Sequence, residues 1–149
     1  LLDNQIRFST IGRLDRLPVS TRQAVIQLIS DTADLDKMTL TLALDYGGRE
    51  EIVCAVKSLV AQGETSIDEH AISSRLTTAG MPDPDLVVRT SGEMRVSNFL
   101  LWQIAYAELH FTPVLWPDFS RSDFVKALTD FAGRDRRFGN VATPKDVSC

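Results

Sequence analysis

A chain of 149 residues, 44% hydrophobic and 24% charged, is one domain's worth of globular protein, long enough to bury about 70% of its unfolded surface. Sixteen lysines and arginines against twenty aspartates and glutamates leave a formal net charge of −4, which excludes a global nucleic-acid-binding footprint and makes any anion site local. The longest apolar run, "FLLWQIAYAEL", falls short of the roughly twenty residues of a membrane span, and the first residues do not read as a signal peptide.

Two cysteines, Cys54 and Cys149, make no disulfide framework, and two histidines, His70 and His110, give no zinc-ligand spacing. A reducing, cytoplasmic setting fits this composition.

In chain order, residues 4–11 alternate apolar and polar as a strand does, and "GRLDRLP" breaks them. A helix is expected from Ser20, which forms a capping box with Gln23; Val19 and Ala24 staple its first turn, and Ala24, Val25, Leu28 and Ile29 line one face. "MTLTLAL", residues 38–44, is a second strand ending in "DYGGREE", where Gly47 and Gly48 turn the chain into a helix over residues 50–62. Ile52, Val53, Val56, Leu59 and Val60 form its inward face.

Ser66 with Glu69 predicts a third helix over residues 67–78, ended by "GMPDP". "DLVVRT" is the third strand. "NFLLWQIAYAEL" is apolar on nearly all sides and reads as a buried helix starting at Ser97 or Asn98. "LHFTPV" is a short fourth strand, and "PDFSRSDFVKALTDFA" gives a last helix capped by Ser120 with Asp123, before a polar tail over residues 134–149.

Strands alternating with helices predict an α/β fold with a mostly parallel central sheet flanked by helices, in a single domain over residues 1–149. In such sheets ligands collect at the carboxyl ends of the strands, here "DYGGR" and "RTSGEMRVSN". In the second, Arg89, Arg95, Ser97 and the amino end of the predicted helix would converge as a phosphate or diphosphate site. The competing reading makes Ser97 a helix cap, pairs Glu93 with one arginine and leaves the other solvated. Glu108, beside "LHF", reads as a solvent-exposed helix end or as a carboxylate for magnesium bridging a diphosphate. The two glycines of "DYGGR" form an anion nest or a plain tight turn, the turn being favoured. Ser91 has no nucleophile-elbow context and no triad.

"DYGGREEIVCAV", "PDPDLVVRTSGEMRVSNFLLWQIAYAELHFTPVLWPDF" and the late "RRFG" resemble the carboxyl-terminal signature blocks of the cis-prenyltransferases, specifically the bacterial undecaprenyl diphosphate synthases. The resemblance implies condensation of farnesyl diphosphate with successive isopentenyl diphosphates into a long cis-polyprenyl diphosphate that carries cell-wall sugars. It assigns isopentenyl diphosphate binding to Arg89, Arg95 and Ser97, with Val96 contributing backbone, and a magnesium ligand to Glu108. It implies a homodimer in which Arg137 and Gly139, the ends of an RxG element, complete the partner subunit's site. It also implies a cytoplasmic enzyme, peripheral to the inner face of the membrane, that delivers a lipid product there.

Three departures accompany the resemblance. The family's phosphate loop, of the type "MDGNGRWA", with its catalytic aspartate, and the "FSSENW" type of segment do not occur in these 149 residues. The expectation is therefore a carboxyl-terminal portion of a family member, incomplete at its amino-terminal side and inactive alone; the alternative is a non-catalytic partner subunit. Asp45 stands where the family more often has asparagine.

Overall fold

A computed structural model describes residues 1–134. Its elements, in chain order, are β1 (Ile6–Gly12), α1 (Val19–Asp31), β2 (Met38–Leu44), α2 (Gly48–Ala61), α3 (Glu69–Ser73), β3 (Leu86–Arg89), β4 (Glu108–Phe111) and α4 (Arg121–Ala132). The α/β class is as expected, and both strand pairs are parallel: β1 with β2, and β3 with β4. The described residues divide into two compact units, one of Leu1–Pro82 with Asn98–Trp102, the other of Asp83–Ser97 with residues 103–134.

In the first unit β1 and β2 pair from Ile6 opposite Met38 to Gly12 opposite Leu44, and α1 makes the crossover that parallel pairing requires. Phe8 and Ile11 are buried; their odd spacing puts them on opposite faces of β1, which is therefore covered on both sides. The carboxyl end of α1 is fastened to this strand by Thr32, fully buried: its Oγ1 accepts from the Phe8 N–H at 2.9 Å and donates to the Leu28 carbonyl at 2.8 Å.

The expected Ser20 and Gln23 capping box does not form. Pro18, extended at φ −53° and ψ 143°, precedes the first helical residue, Val19, so Ser20 is already helical and cannot adopt the extended backbone a cap needs. Val25, Leu28 and Ile29 are half-buried, whereas Ala24 is exposed.

The buried stripe of α2 runs through Gly48, Glu51, Ala55 and Leu59. Of the expected inward residues Leu59 is buried and Ile52 and Val56 are half-buried, but Val53 and Val60 face solvent. The stripe is rotated because Gly48 packs under residues 98–101 and because Glu51, a carboxylate, has partners that admit it to the interior. The third helix is shorter than expected and differently capped. The Asp68 side chain, not Ser66, accepts from the Ala71 N–H at 2.7 Å, and α3 ends at Ser73. Ser74 then bonds back to the Ala71 carbonyl and Thr77 gives its N–H to Glu51, so side chains draw the backbone out of helix before Thr78.

The largest correction concerns "NFLLWQIAYAEL". Residues 99–106 form turns instead of a helix. Ser97, Asn98 and Leu100 have φ of 50°, 62° and 46°, in the left-handed region that a right-handed helix cannot pass through. The 98–102 stretch belongs to the first unit, where Phe99 meets Tyr46 edge to face with ring centroids 5.8 Å apart and Trp102 Nε1 donates to Ser73 Oγ at 2.9 Å.

In the second unit β3 and β4 pair from Leu86 opposite Glu108 to Arg89 opposite Phe111. The pairing runs on past the strands, with Thr112 N–H to the Arg89 carbonyl at 2.9 Å, Gly92 N–H to Thr112 at 2.9 Å and Ser91 N–H to Val114 at 2.8 Å. The last helix starts as expected, with the reciprocal capping box of Ser120 and Asp123, and buries Ala127. No helix among the described residues is long and apolar enough to cross a membrane.

Candidate functional site

Arg89 closes β3, at the carboxyl end of a parallel strand, where the sequence expects a ligand. Its Nε is buried and has no hydrogen-bond partner among the described residues. A cationic donor held this way is costly unless something anionic completes it. Ser91 and Gly92, both at φ 68°, then bend the chain away from the strand direction. Arg95 is 69% exposed and pairs with Glu93, as the competing reading expects of one arginine. Val96 is half-buried and Ser97 exposed. Arg89 at the strand end and Arg95, Val96 and Ser97 on the loop that follows thus belong to one short segment, residues 89–97.

The amino end of a helix does not add to this loop, because no helix starts at Ser97 or Asn98. The charge the loop offers an anion comes from the two guanidinium groups, with the Ser97 hydroxyl and the backbone as further donors.

Glu108 lies elsewhere. It opens β4, opposite Leu86, three steps of the ladder from the pair of Arg89 with Phe111, or about 10 Å of strand. Its Oε2 accepts from Arg134 Nη1 at 2.8 Å, and the same nitrogen donates to the Leu109 carbonyl at 3.0 Å. Arg134 Nη2 donates to Asp130 Oδ2 at 2.7 Å, and that oxygen also meets His110 Nδ1 at 2.9 Å. The hydrogen bond to Glu108, followed by that to Asp130, raises Arg134 above the usual guanidinium range; His110 first and then Arg134 hold the Asp130 carboxyl below its usual range.

These contacts bear on magnesium. Among the described residues no three His, Cys, Asp or Glu side chains group as ligands, and Glu108 is already in an ion pair with Arg134. The described residues by themselves do not fit a cation centre. Arg137 and Gly139 lie outside the described residues.

At "DYGGR" the turn reading holds. Two N–H groups at the α2 amino end are already taken: Gly48 N–H donates to the Asn98 carbonyl at 2.8 Å and Arg49 N–H to Asn98 Oδ1 at 2.9 Å. Asp45 sits at φ 47°, a conformation that aspartate and asparagine both tolerate, and its added charge meets Arg16 Nη1 at 3.2 Å. A small pocket of about 90 Å³ here is lined by Gly12, Arg13, Asp45, Tyr46 and Cys54 among others. Arg13 does not offer it a free cation, being bonded to Asp15 at 3.0 Å and to Glu50 at 2.9 Å.

Sequence reasoning missed Asn98, Glu51 and Arg134. Each has a partner 26 to 50 residues away, for which local periodicity carries no signal. The immediate succession of Asn98 after Ser97 and the paired glycines were the two available clues.

The described residues form an α/β protein with parallel strands and a cationic loop at a strand end. The family model described as "Putative undecaprenyl diphosphate synthase" matches residues 1–139, and the chain belongs to this prenyltransferase family. It is 51% identical over 142 residues to an isoprenyl transferase of Heliobacterium mobile, covering 91% of this chain and 55% of that protein. Lavandulyl diphosphate synthase from Lavandula x intermedia, solved in complex with dimethylallyl diphosphate, is similar with a TM-score of 0.85 and 39% identity, over 91% of this chain and 61% of that one. A "probable undecaprenyl diphosphate synthase" from Campylobacter jejuni gives a TM-score of 0.84 and 32% identity, over 94% and 66%. The chain thus spans 55% of the Heliobacterium relative's length.

Proposed function

We propose that the full-length protein carrying this sequence condenses isopentenyl diphosphate with an allylic diphosphate, farnesyl diphosphate in the first instance, to make a long cis-polyprenyl diphosphate such as undecaprenyl diphosphate. The observation that carries the proposal is Arg89: a guanidinium at the end of a parallel strand whose buried Nε has no partner, at the head of a loop that also carries Arg95 and Ser97. Diphosphate is the ligand class that suits two forked cations and a hydroxyl, each charge-assisted bond contributing roughly 1.5 to 3 kcal/mol. The relative solved with dimethylallyl diphosphate supports an allylic diphosphate as the second substrate.

In this reading Arg89 and Arg95 grip the isopentenyl diphosphate, Arg95 giving up Glu93 to do so, while Ser97 donates a hydrogen bond and the Val96 backbone lines the site. The carbon to oxygen bond of the allylic substrate breaks and its diphosphate leaves with the electron pair. The homoallylic double bond attacks the carbon left electron-poor, and loss of a proton sets the new cis double bond. The described residues contribute to this by holding the donor in place. A magnesium ion that would take Glu108 from Arg134 and complete its ligand set with residues outside those described, a homodimer using Arg137 and Gly139, and a cytoplasmic enzyme at the membrane's inner face belong to the same proposal, as does inactivity of the 149 residues alone.

The test is incorporation of labelled isopentenyl diphosphate into chain-extended product by the full-length protein, compared with Arg95→Ala. The expected result is activity in the wild type and, in the variant, a large rise in the isopentenyl diphosphate KM, a loss of turnover, or both. Wild-type kinetics retained in Arg95→Ala would remove the clamp assignment.

A further inference from the structure

We propose that Thr112 is a positioning residue for the diphosphate clamp: the turn it forms with Pro113 and Val114 holds the chain reversal at Ser91 and Gly92 through which Arg95 and Ser97 follow Arg89. The inference rests on the reading of Arg89, Arg95 and Ser97 as a clamp, and every residue it uses lies within the second unit.

Arg89 stands opposite Phe111, so in a ladder that continued Thr112 would face Thr90, donating to the Arg89 carbonyl and accepting from the Ser91 N–H. The first of these bonds forms, at 2.9 Å. In place of the second, the Thr112 carbonyl takes the Gly92 N–H at 2.9 Å, and the Ser91 N–H reaches past it to the Val114 carbonyl at 2.8 Å. The chain therefore runs forward as far as Val114 and returns to Thr112 one residue later. Ser91 and Gly92 make that reversal with φ of 68° each. Glycine adopts such a backbone freely, but serine keeps it only where surrounding contacts over-determine it.

Those contacts come from residues 112–114. Thr112 is buried, and its Oγ1 accepts from the Val114 N–H at 3.4 Å, the threonine form of a turn closed by a side chain two residues back. Pro113, between them, has its own φ fixed by the ring. The two carbonyls that hold the reversal are thus held relative to each other by a hydroxyl and a proline. A Cβ on Gly92 would stand 3.8 Å from Pro113 Cα, an ordinary contact, so backbone direction and not space calls for glycine there. Both N–H groups of the reversal are taken by these carbonyls. Its part in binding is to direct the chain that carries Arg95, three residues on.

Four variants of the full-length protein separate positioning from folding. Ser91→Val puts a β-branched residue where φ is positive, and Ser91→Gly relieves the same position. Thr112→Val keeps the volume and removes the acceptor for Val114, and Thr112→Ser keeps that acceptor. The isopentenyl diphosphate KM is expected to rise about tenfold or more in Ser91→Val and about fivefold in Thr112→Val, with the allylic KM within about twofold of wild type. It should stay within about threefold in Ser91→Gly and Thr112→Ser. Amide hydrogen exchange at Gly92 should quicken in the two valine variants only. An unchanged isopentenyl diphosphate KM in either valine variant overturns the proposal, as does unchanged Gly92 exchange in both. An equal rise in the two KM values, or a rise in Ser91→Gly and Thr112→Ser as large as in the valine variants, overturns it too. Calorimetric titration with inorganic pyrophosphate keeps this inference apart from the reaction it rests on. If the wild type binds pyrophosphate but does not transfer prenyl groups, the reaction assigned above fails, and Thr112 is judged on pyrophosphate affinity: a loss of about fivefold in Thr112→Val, regained in Thr112→Ser, supports it and equal affinity overturns it. A wild type that neither turns over nor binds pyrophosphate overturns both.

Discussion

Glu51 is a carboxylate only 8% exposed on the inner stripe of α2, and its removal should unfasten the first unit. It accepts from the Tyr46 hydroxyl at 2.6 Å, from the Thr77 N–H at 2.8 Å and from Thr77 Oγ1. One side chain thereby ties the turn after β2 to the segment after α3. Glu51→Ala takes the acceptor from three donors at once and leaves a cavity on the buried stripe of α2. Hydrogen bonds to a charged group are worth about 1.5 to 3 kcal/mol each in isolation, but water re-solvates some of these donors. The expected loss is about 3 to 5 kcal/mol, the range seen when a buried polar network is broken. Glu51→Gln keeps one acceptor oxygen and should lose about 1 to 2 kcal/mol. Urea unfolding of the full-length protein, followed by far-ultraviolet circular dichroism, measures both. A Glu51→Ala variant within about 1 kcal/mol of wild type would refute the role given to this carboxylate, because ordinary surface substitutions fall within half that.

Two further outcomes follow. Ser120→Ala should destabilise α4 by about 1 kcal/mol, the usual worth of an N-cap serine, in the same unfolding assay. Ser120 holds the Asp123 carboxyl below its ordinary range, so the contribution of this pair is fully present above the unfolded carboxyl pKa, about 3.9, and is lost as pH falls through the depressed value; the gap between wild type and Ser120→Ala should narrow below about pH 4. Chelation of divalent cations should abolish turnover of the full-length protein and added Mg²⁺ should restore it; turnover that survives chelation removes magnesium from the proposal.

The parts of the fold legible in the sequence are those whose cause is local. Residues 38–44 are a strand because alternating threonine and aliphatic side chains favour a pleated backbone, and Ser120 starts α4 because its partner Asp123 is three residues away. The apolar stretch after Asn98 misled for the opposite reason. Its composition suits a buried helix, but its backbone carbonyl at Asn98 is engaged by Gly48, fifty residues earlier, and its φ angles follow that engagement. The candidate site divides in the same way. Arg89 and its loop could be placed by strand position alone, whereas the environment of Glu108 depends on Arg134, twenty-six residues on, and nothing near Glu108 in the sequence points to it.

With the helix gone from the 89–97 loop, the two arginines should differ in how they hold a diphosphate. A helix amino end would have added the equivalent of about half a positive charge. Without it, the described attraction rests on Arg95, 69% exposed and paired with Glu93, and on Arg89, half-buried with one nitrogen sealed from water. Two unit charges 4 Å apart in bulk water attract by only about 1 kcal/mol, against about 4 kcal/mol at the effective dielectric of a protein surface. Arg95 lies near the first limit and must also give up Glu93; Arg89 lies nearer the second and has no partner at Nε to lose. Arg89→Gln should therefore raise the isopentenyl diphosphate KM more than Arg95→Gln does. Salt should separate them further, since a Debye length of about 10 Å at 0.1 M screens an exposed charge much more than a partly buried one. The KM ratio of Arg95→Gln to wild type should fall toward one between about 0.05 and 0.5 M KCl, while that of Arg89→Gln holds nearly constant. Equal salt dependence for the two variants would mean that the burial of Arg89 confers no electrostatic advantage.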